Sequence, residues 1–157
     1  MITTPQVLES PAQAIAFIHL TVEREEIMQA MQASLAELRH FLVEQGLEPS
    51  GPWFTHHLRR PSESFDLRVC FPIDSPGIPT SAPSGKVQFG QREAARVART
   101  VYSGNYTGLA SAWGKFRDWI ATHNHTPRPD LWEVYLIGPD TTPRPEDWRT
   151  ELNRPLL

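Results

Sequence analysis

Apolar positions along the chain follow two different periods, and the alternation between them sets out the predicted elements. The run Ala14-Ile15-Ala16-Phe17-Ile18-His19-Leu20 is short and rich in strand formers, which predicts a β-strand. From about Glu23 to Gln45, Ile27, Met31, Leu35, Leu38 and Leu42 recur at spacings of three and four, the stripe of an amphipathic helix. Glu23, Glu25 and Glu26 crowd its first turn, where the helix dipole favours negative charge, and Gly46 supplies a stop. Two strands follow, Pro52 to Leu58 and Phe65 to Phe71, joined by the polar hairpin Arg59 to Ser64. In the second, Phe65, Leu67, Val69 and Phe71 point one way and Asp66, Arg68 and Cys70 the other, as in a half-buried antiparallel strand. Asp74 to Gly85 holds Pro76, Pro79 and Pro83 with two glycines and reads as an irregular crossover.

The second half repeats the order. Val87 to Phe89 and Ala94 to Tyr102 read as strands, and Leu109, Trp113, Phe116 and Ile120 mark a helix from about Thr107 to His123. A turn at Thr126 to Asp130 leads into the strand Leu131 to Ile137, and the proline-rich tail carries a last short strand around Thr150 to Asn153. Phe65-Asp66-Leu67-Arg68-Val69 echoes Trp132-Glu133-Val134-Tyr135-Leu136, with Pro72 and Pro139 at the same offset. One domain over 1–157 is expected, with pseudo-repeats of about 6–73 and 86–153. The fold class is α+β, a duplicated strand-helix-strand-strand unit with two helices on one face of an antiparallel sheet.

Composition narrows the function. With 15 Lys+Arg against 18 Asp+Glu the net charge is −3, which argues against a nucleic-acid-binding surface. A single cysteine, Cys70, is too few for a disulfide framework or a CxxC site, and it reads as a small core or pocket residue. The start of the chain has no basic segment followed by an apolar one, and no apolar run approaches the ~18 residues of a membrane span. A soluble, cytoplasmic protein is expected.

Glu133 is the foremost candidate for chemistry, since glutamate is depleted in strands and a carboxylate among aromatics is costly without a partner. If Trp132, Val134 and Leu136 pack on the helices, Glu133 and Tyr135 look out from the opposite face. Glu133 then either pairs with an arginine such as Arg96 or Arg99, or anchors a ligand in a hydrophobic cavity. Trp53, Phe54, Tyr102, Tyr106 and Trp113 lie at strand ends or at the start of the second helix, where pocket rims form. Aromatic faces around a carboxylate suit a lipophilic cation. No metal is expected: His56 and His57 face opposite sides of a strand, and His123 and His125 lack a third ligand.

Gly51-Pro52, Phe65-Asp66-Leu67 with Cys70-Phe71-Pro72, Tyr102-Ser103-Gly104-Asn105-Tyr106, and Trp132-Glu133-Val134-Tyr135 ending in Pro139 together resemble the GyrI-like family. This is the effector-binding domain of AraC- and MerR-type multidrug-responsive regulators. Glu151-Leu152 with Pro155-Leu156 fits the family's tail, and the similarity runs from about Gln6 to Leu156. The resemblance implies a ligand groove between the two halves, where Glu133 meets lipophilic, positively charged compounds. It also implies that Tyr106 and Trp53 line that groove; Trp113, Tyr135 and Asp66 complete the expected ligand-binding set. The family module accounts for the whole length, so no helix-turn-helix is expected and the implied role is stand-alone sensing or sequestration in drug or toxin resistance. An alternative is hydrolysis of cyclopropane-bearing alkylating compounds, with Glu133 catalytic and Tyr106 or Tyr135 assisting. A further alternative is a protein-binding module of the gyrase-inhibitor type. No cofactor is expected, since haem binding as in a fold relative would rest on His19 or His57 alone; a homodimer or protein partner is left open.

Overall fold

A computed structural model describes residues 1–74 and 86–157. All but the first residue of the expected crossover, Asp74 to Gly85, therefore lies outside the described residues. The strands are β1 (Gln6–Ser10), β2 (Gln13–Glu23), β3 (Phe54–His57), β4 (Ser64–Pro72), β5 (Gln88–Arg92), β6 (Ala95–Ser103), β7 (Leu131–Ile137) and β8 (Arg149–Pro155). The helices are α1 (Ile27–Glu44) and α2 (Leu109–Thr122), each entered through a one-turn 3-10 segment, Arg24–Glu26 and Tyr106–Gly108. The class is α+β, as the two periods predict. Glu25 and Glu26 lie in the 3-10 turn ahead of α1 and Glu23 ends β2, so none of the three is in the helix's first turn. β1 was not anticipated, and β8 is longer than the expected Thr150 to Asn153.

The chain divides into two compact units, residues 11–94 and residues 1–10 with 95–157. In the unit of residues 11–94 the strands run β3-β4-β2-β5, all antiparallel. Leu38, Phe41 and Leu42 of α1 pack with Ala16 and Ile18 of β2 and Leu67, Val69 and Phe71 of β4. The half-buried pattern read in β4 thus has the apolar set on the helix side. α1 ends where Gly46, at φ +67, turns left-handed: its N–H donates to the Val43 carbonyl and that of Leu47 to Leu42.

In the other unit the order is β1-β6-β8-β7, again antiparallel. Ala112, Phe116 and Ile120 of α2 pack on Ala98 and Tyr102 of β6 and Leu152 of β8. Each unit is therefore strand, helix, strand, strand, with the last strand between the other two, plus one outer strand. β3 corresponds to β7 and β4 to β8. The sequence echo compares β4 with β7 and is out of step by one strand. It reflects shared strand chemistry, not equivalent places in the repeat.

Candidate functional site

β7 opens with three consecutive buried residues, Leu131, Trp132 and Glu133, so both of its faces are covered at that end. Cross-strand pairing settles which face is which. Glu133 lies opposite Leu152 and Tyr135 opposite Thr150. Leu152 in turn pairs with Thr100, and Thr150 with Tyr102. Leu152 and Tyr102 belong to the core beneath α2. Glu133 and Tyr135 therefore face the helix, and Trp132 and Val134 face away. The alternation holds, but the expected assignment of faces is reversed. An apolar-inward rule cannot orient a strand whose two faces are both buried.

α2 meets this face through Trp113. Its indole N–H donates to Glu133 Oε2 at 2.6 Å, and the Tyr135 hydroxyl donates to Oε1 at 2.9 Å. Each carboxylate oxygen thus has one neutral aromatic donor. The side chain is 8% exposed, and no Lys or Arg among the described residues forms an ion pair with it. Neither arginine considered as its partner reaches it. Arg99 points to the other face, where its Nε donates to Asn153 Oδ1 at 2.6 Å and lies 3.3 Å from Glu151, while Arg96 is exposed. Burial pushes the Glu133 carboxyl above the usual carboxylate range, and the bonds from Trp113 and Tyr135 hold it partly back.

Tyr106 joins from the turn between β6 and α2. Asn105 caps that turn, its side-chain oxygen accepting from the Thr107 N–H at 3.1 Å. The Tyr106 ring meets Tyr135 edge-on at 6.0 Å and lies against Trp148 at 4.9 Å. Its phenol is pushed up to about 12, first by burial and then by the negative charges of Asp140 and Glu133. A Cβ on Gly138 would stand 3.0 Å from the Tyr106 hydroxyl, so the glycine makes room for the phenol. Trp113, Glu133, Tyr135, Tyr106 and Trp148 form one cluster of four aromatic rings around a buried acid.

Four of the six expected site residues, Glu133, Tyr135, Tyr106 and Trp113, come together here. Trp53 and Asp66 belong to the other unit, where Trp53 packs against the α1 core and Asp66 is hydrogen-bonded to His19 Nε2. Phe54 and Tyr102, taken as rim aromatics, are buried core residues. Cys70 is buried, and burial pushes its thiol up, away from a nucleophile. Sequence reasoning missed Trp148 and Asp140. Trp148 stands in a polar tail with no period to place it, and its indole N–H is tied to the Thr142 carbonyl at 3.0 Å. The signal available was a lone tryptophan between prolines and the last strand.

A small-molecule binding domain is what this combination of fold and site defines. The chain belongs to the GyrI-like family, residues 3–156 matching its small molecule binding domain. No curated protein matches the chain in sequence. Among solved structures, the C-terminal domain of EcmrR is similar, with a TM-score of 0.83 at 15% identity over 98% of this chain and 97% of that one. In the EcmrR–DNA complex the TM-score is 0.82 at 16% identity over 98% of this chain, which spans 57% of that chain. SAV2435 bound to tetraphenylphosphonium gives 0.67 at 13% identity over 99% and 94% of the two chains. A hydrolase from Listeria innocua gives 0.64 at 12% identity over 98% and 91%. At these identities the likeness is one of fold. Among the described residues, no helix is long and apolar enough to cross a membrane.

Proposed function

We propose that the chain binds lipophilic cations through Glu133 and the aromatic rings around it, as a sensing or sequestering protein. The observation that carries this reading is the Glu133 carboxylate, 8% exposed and held by two neutral donors without a basic partner among the described residues. A buried charge in that state is costly, and a bound cation offsets the cost. The rings of Trp113, Tyr106, Tyr135 and Trp148 offer π faces and apolar area to the ligand's hydrophobic part. That SAV2435, of the same fold, has been solved with tetraphenylphosphonium supports the choice of ligand class. Tetraphenylphosphonium is accordingly the probe: titration should quench tryptophan fluorescence in the wild type and far less in Glu133→Gln. Equal affinity for triphenylphosphine oxide, a neutral analogue, would overturn the anionic anchor.

A second reading, hydrolysis of strained alkylating compounds, draws on the raised proton affinity of Glu133 and the Tyr135 hydroxyl 2.9 Å from it. A carboxyl whose proton affinity is raised by burial is suited to general acid–base work. Incubation with a cyclopropane-bearing electrophile, followed by mass spectrometry, separates the two readings. Many turnovers would establish the enzyme, and a stoichiometric complex the binder.

A further inference from the structure

Tyr106 reaches Tyr135 and Trp148 from a turn, and turns hold a ring in place less firmly than strands do. Here the preceding residue but three, Tyr102 at the end of β6, is built into that turn from beneath. Tyr102 is 6% exposed, and its hydroxyl donates to the Asn105 carbonyl at 2.6 Å. The same carbonyl accepts the Gly108 N–H at 3.1 Å, closing the 3-10 segment that Tyr106 opens. The two glycines of the turn leave space for the phenol. A Cβ at Gly108 would collide with the Tyr102 hydroxyl, and one at Gly104 would stand 3.2 Å from it. Gly104 also has φ +129, a backbone that other residues adopt only under strain, and its N–H donates to the Trp148 carbonyl at 3.0 Å. Trp148 is the ring against which Tyr106 lies.

The geometry points to Tyr102 as a positioning residue of the ligand site: its hydroxyl, seated between Gly104 and Gly108, fixes the turn that holds Tyr106 against Trp148 and Tyr135. Tyr102 touches no ligand. It acts through Tyr106, and the inference rests on the reading of the Glu133 site given above. A hydroxyl whose sole purpose was stability would make Tyr102→Phe lower the melting temperature and leave Tyr106 where it is.

The chain has three tyrosines, so Tyr102→Phe leaves Tyr106 and Tyr135 as the signals of tyrosine-labelled protein in NMR. In the wild type Tyr106 should show contacts to the Trp148 ring. In Tyr102→Phe those contacts should weaken or vanish, and tetraphenylphosphonium affinity should fall about three- to tenfold, the worth of one net hydrogen bond. In a Tyr106→Ala background, Tyr102→Phe should cause no further loss. Gly108→Ala should reproduce the defect, and Tyr102→Phe should partly rescue it by removing the atom the new methyl strikes. Unchanged Tyr106–Trp148 contacts in Tyr102→Phe would overturn the proposal, as would a full additional loss in Tyr106→Ala. If the wild type fails to bind tetraphenylphosphonium, the cation reading falls, and the Tyr106–Trp148 contacts alone decide the role of Tyr102.

Discussion

The two units share one topology, yet equivalent positions carry opposite chemistry. Glu133 sits in the cross-strand row that includes Thr100, three residues before β6 ends at Ser103. In the other unit His57 sits in the row that includes Leu20, three residues before β2 ends at Glu23. Both are buried and both lie on the helix side. The fifth residue of α2 is Trp113, and the fifth of α1 is Met31. Tyr106 opens one 3-10 turn and Arg24 the other, where its guanidinium lies 5.6 Å over the Phe65 ring. One copy thus gathers an acid, an indole and a phenol. The other carries an imidazole, a thioether and a guanidinium at the matching places. The repeat supplies two buried positions beneath a helix, and the proposed cation site rests on the acid at one of them.

The largest expected effect breaks the comparison at its centre. Glu133→Gln keeps size and shape, and the fold survives it because the Tyr135 hydroxyl can turn to accept from the new amide. Losing the desolvated charge should weaken tetraphenylphosphonium binding by ~2–5 kcal/mol in a fluorescence titration. His57→Gln, at the matching position, should leave that affinity unchanged. Equal losses in both would show that the site's charge is irrelevant.

Acid separates the two positions by sign. Burial raises the folded-state proton affinity of Glu133, so its contribution to stability is full below the unfolded pKa and is lost as pH rises through the folded one. His57 is the opposite case: burial, and then neighbouring His56, lower it from 6.5 to about 4. Its folded form resists protonation, so stability is full above the unfolded value and is lost as pH falls from 6.5 toward about 4. That shift amounts to about 3 kcal/mol. Melting temperatures across this window should therefore flatten in His57→Gln. In Glu133→Gln the acid limb should stay, and stability at neutral pH should hold or rise. An unchanged acid limb in His57→Gln would place the titration elsewhere.

Regular periods made most of the frame readable from the sequence: both helices, β7 to the residue, and the helix-facing set of β4. Glu133 stood out because an acid interrupts an apolar strand. Its orientation did not, since Trp132 on one face and Glu133 on the other are both buried. Nor did the true repeat register, because β4 and β7 share residue types while β3 and β7 share a place. Trp148 was invisible for the reason that makes it useful: its ring is brought to Tyr106 by tertiary packing from a tail with no periodicity of its own.

Next in size is the donor on the helix. Trp113→Phe keeps an aromatic face but leaves Glu133 Oε2 without its 2.6 Å bond. Hydrogen bonds to charged groups are worth ~1.5–3 kcal/mol, so the ionised carboxylate should become that much harder to hold. The expected outcome is about a tenfold or greater loss of cation affinity at neutral pH. Met31→Leu, the matching change in α1, should cost under ~1.5 kcal/mol of stability and nothing in affinity. A Trp113→Phe protein that binds as the wild type does at every pH would remove the indole from the site.

The smallest effect is expected at Tyr106, and it bears on what the cluster is for. With its phenol pushed up to about 12, Tyr106 is neutral under ordinary conditions and offers a cation its ring, not a charge. Tyr106→Phe preserves that ring against Trp148 and Tyr135 and removes a hydroxyl that Gly138 merely accommodates. A binder should therefore lose less than ~1 kcal/mol of tetraphenylphosphonium affinity, at the low end for a single hydrogen bond. Tyr106→Ala, which deletes the face, should lose more, since cation–π contact in a desolvated site is worth up to ~2 kcal/mol. A hydrolase that uses the hydroxyl would behave differently: Tyr106→Phe would lower turnover of a strained electrophile while leaving affinity in place. Measuring both quantities on the same two variants tells whether the rings around Glu133 receive a cation or assist a reaction.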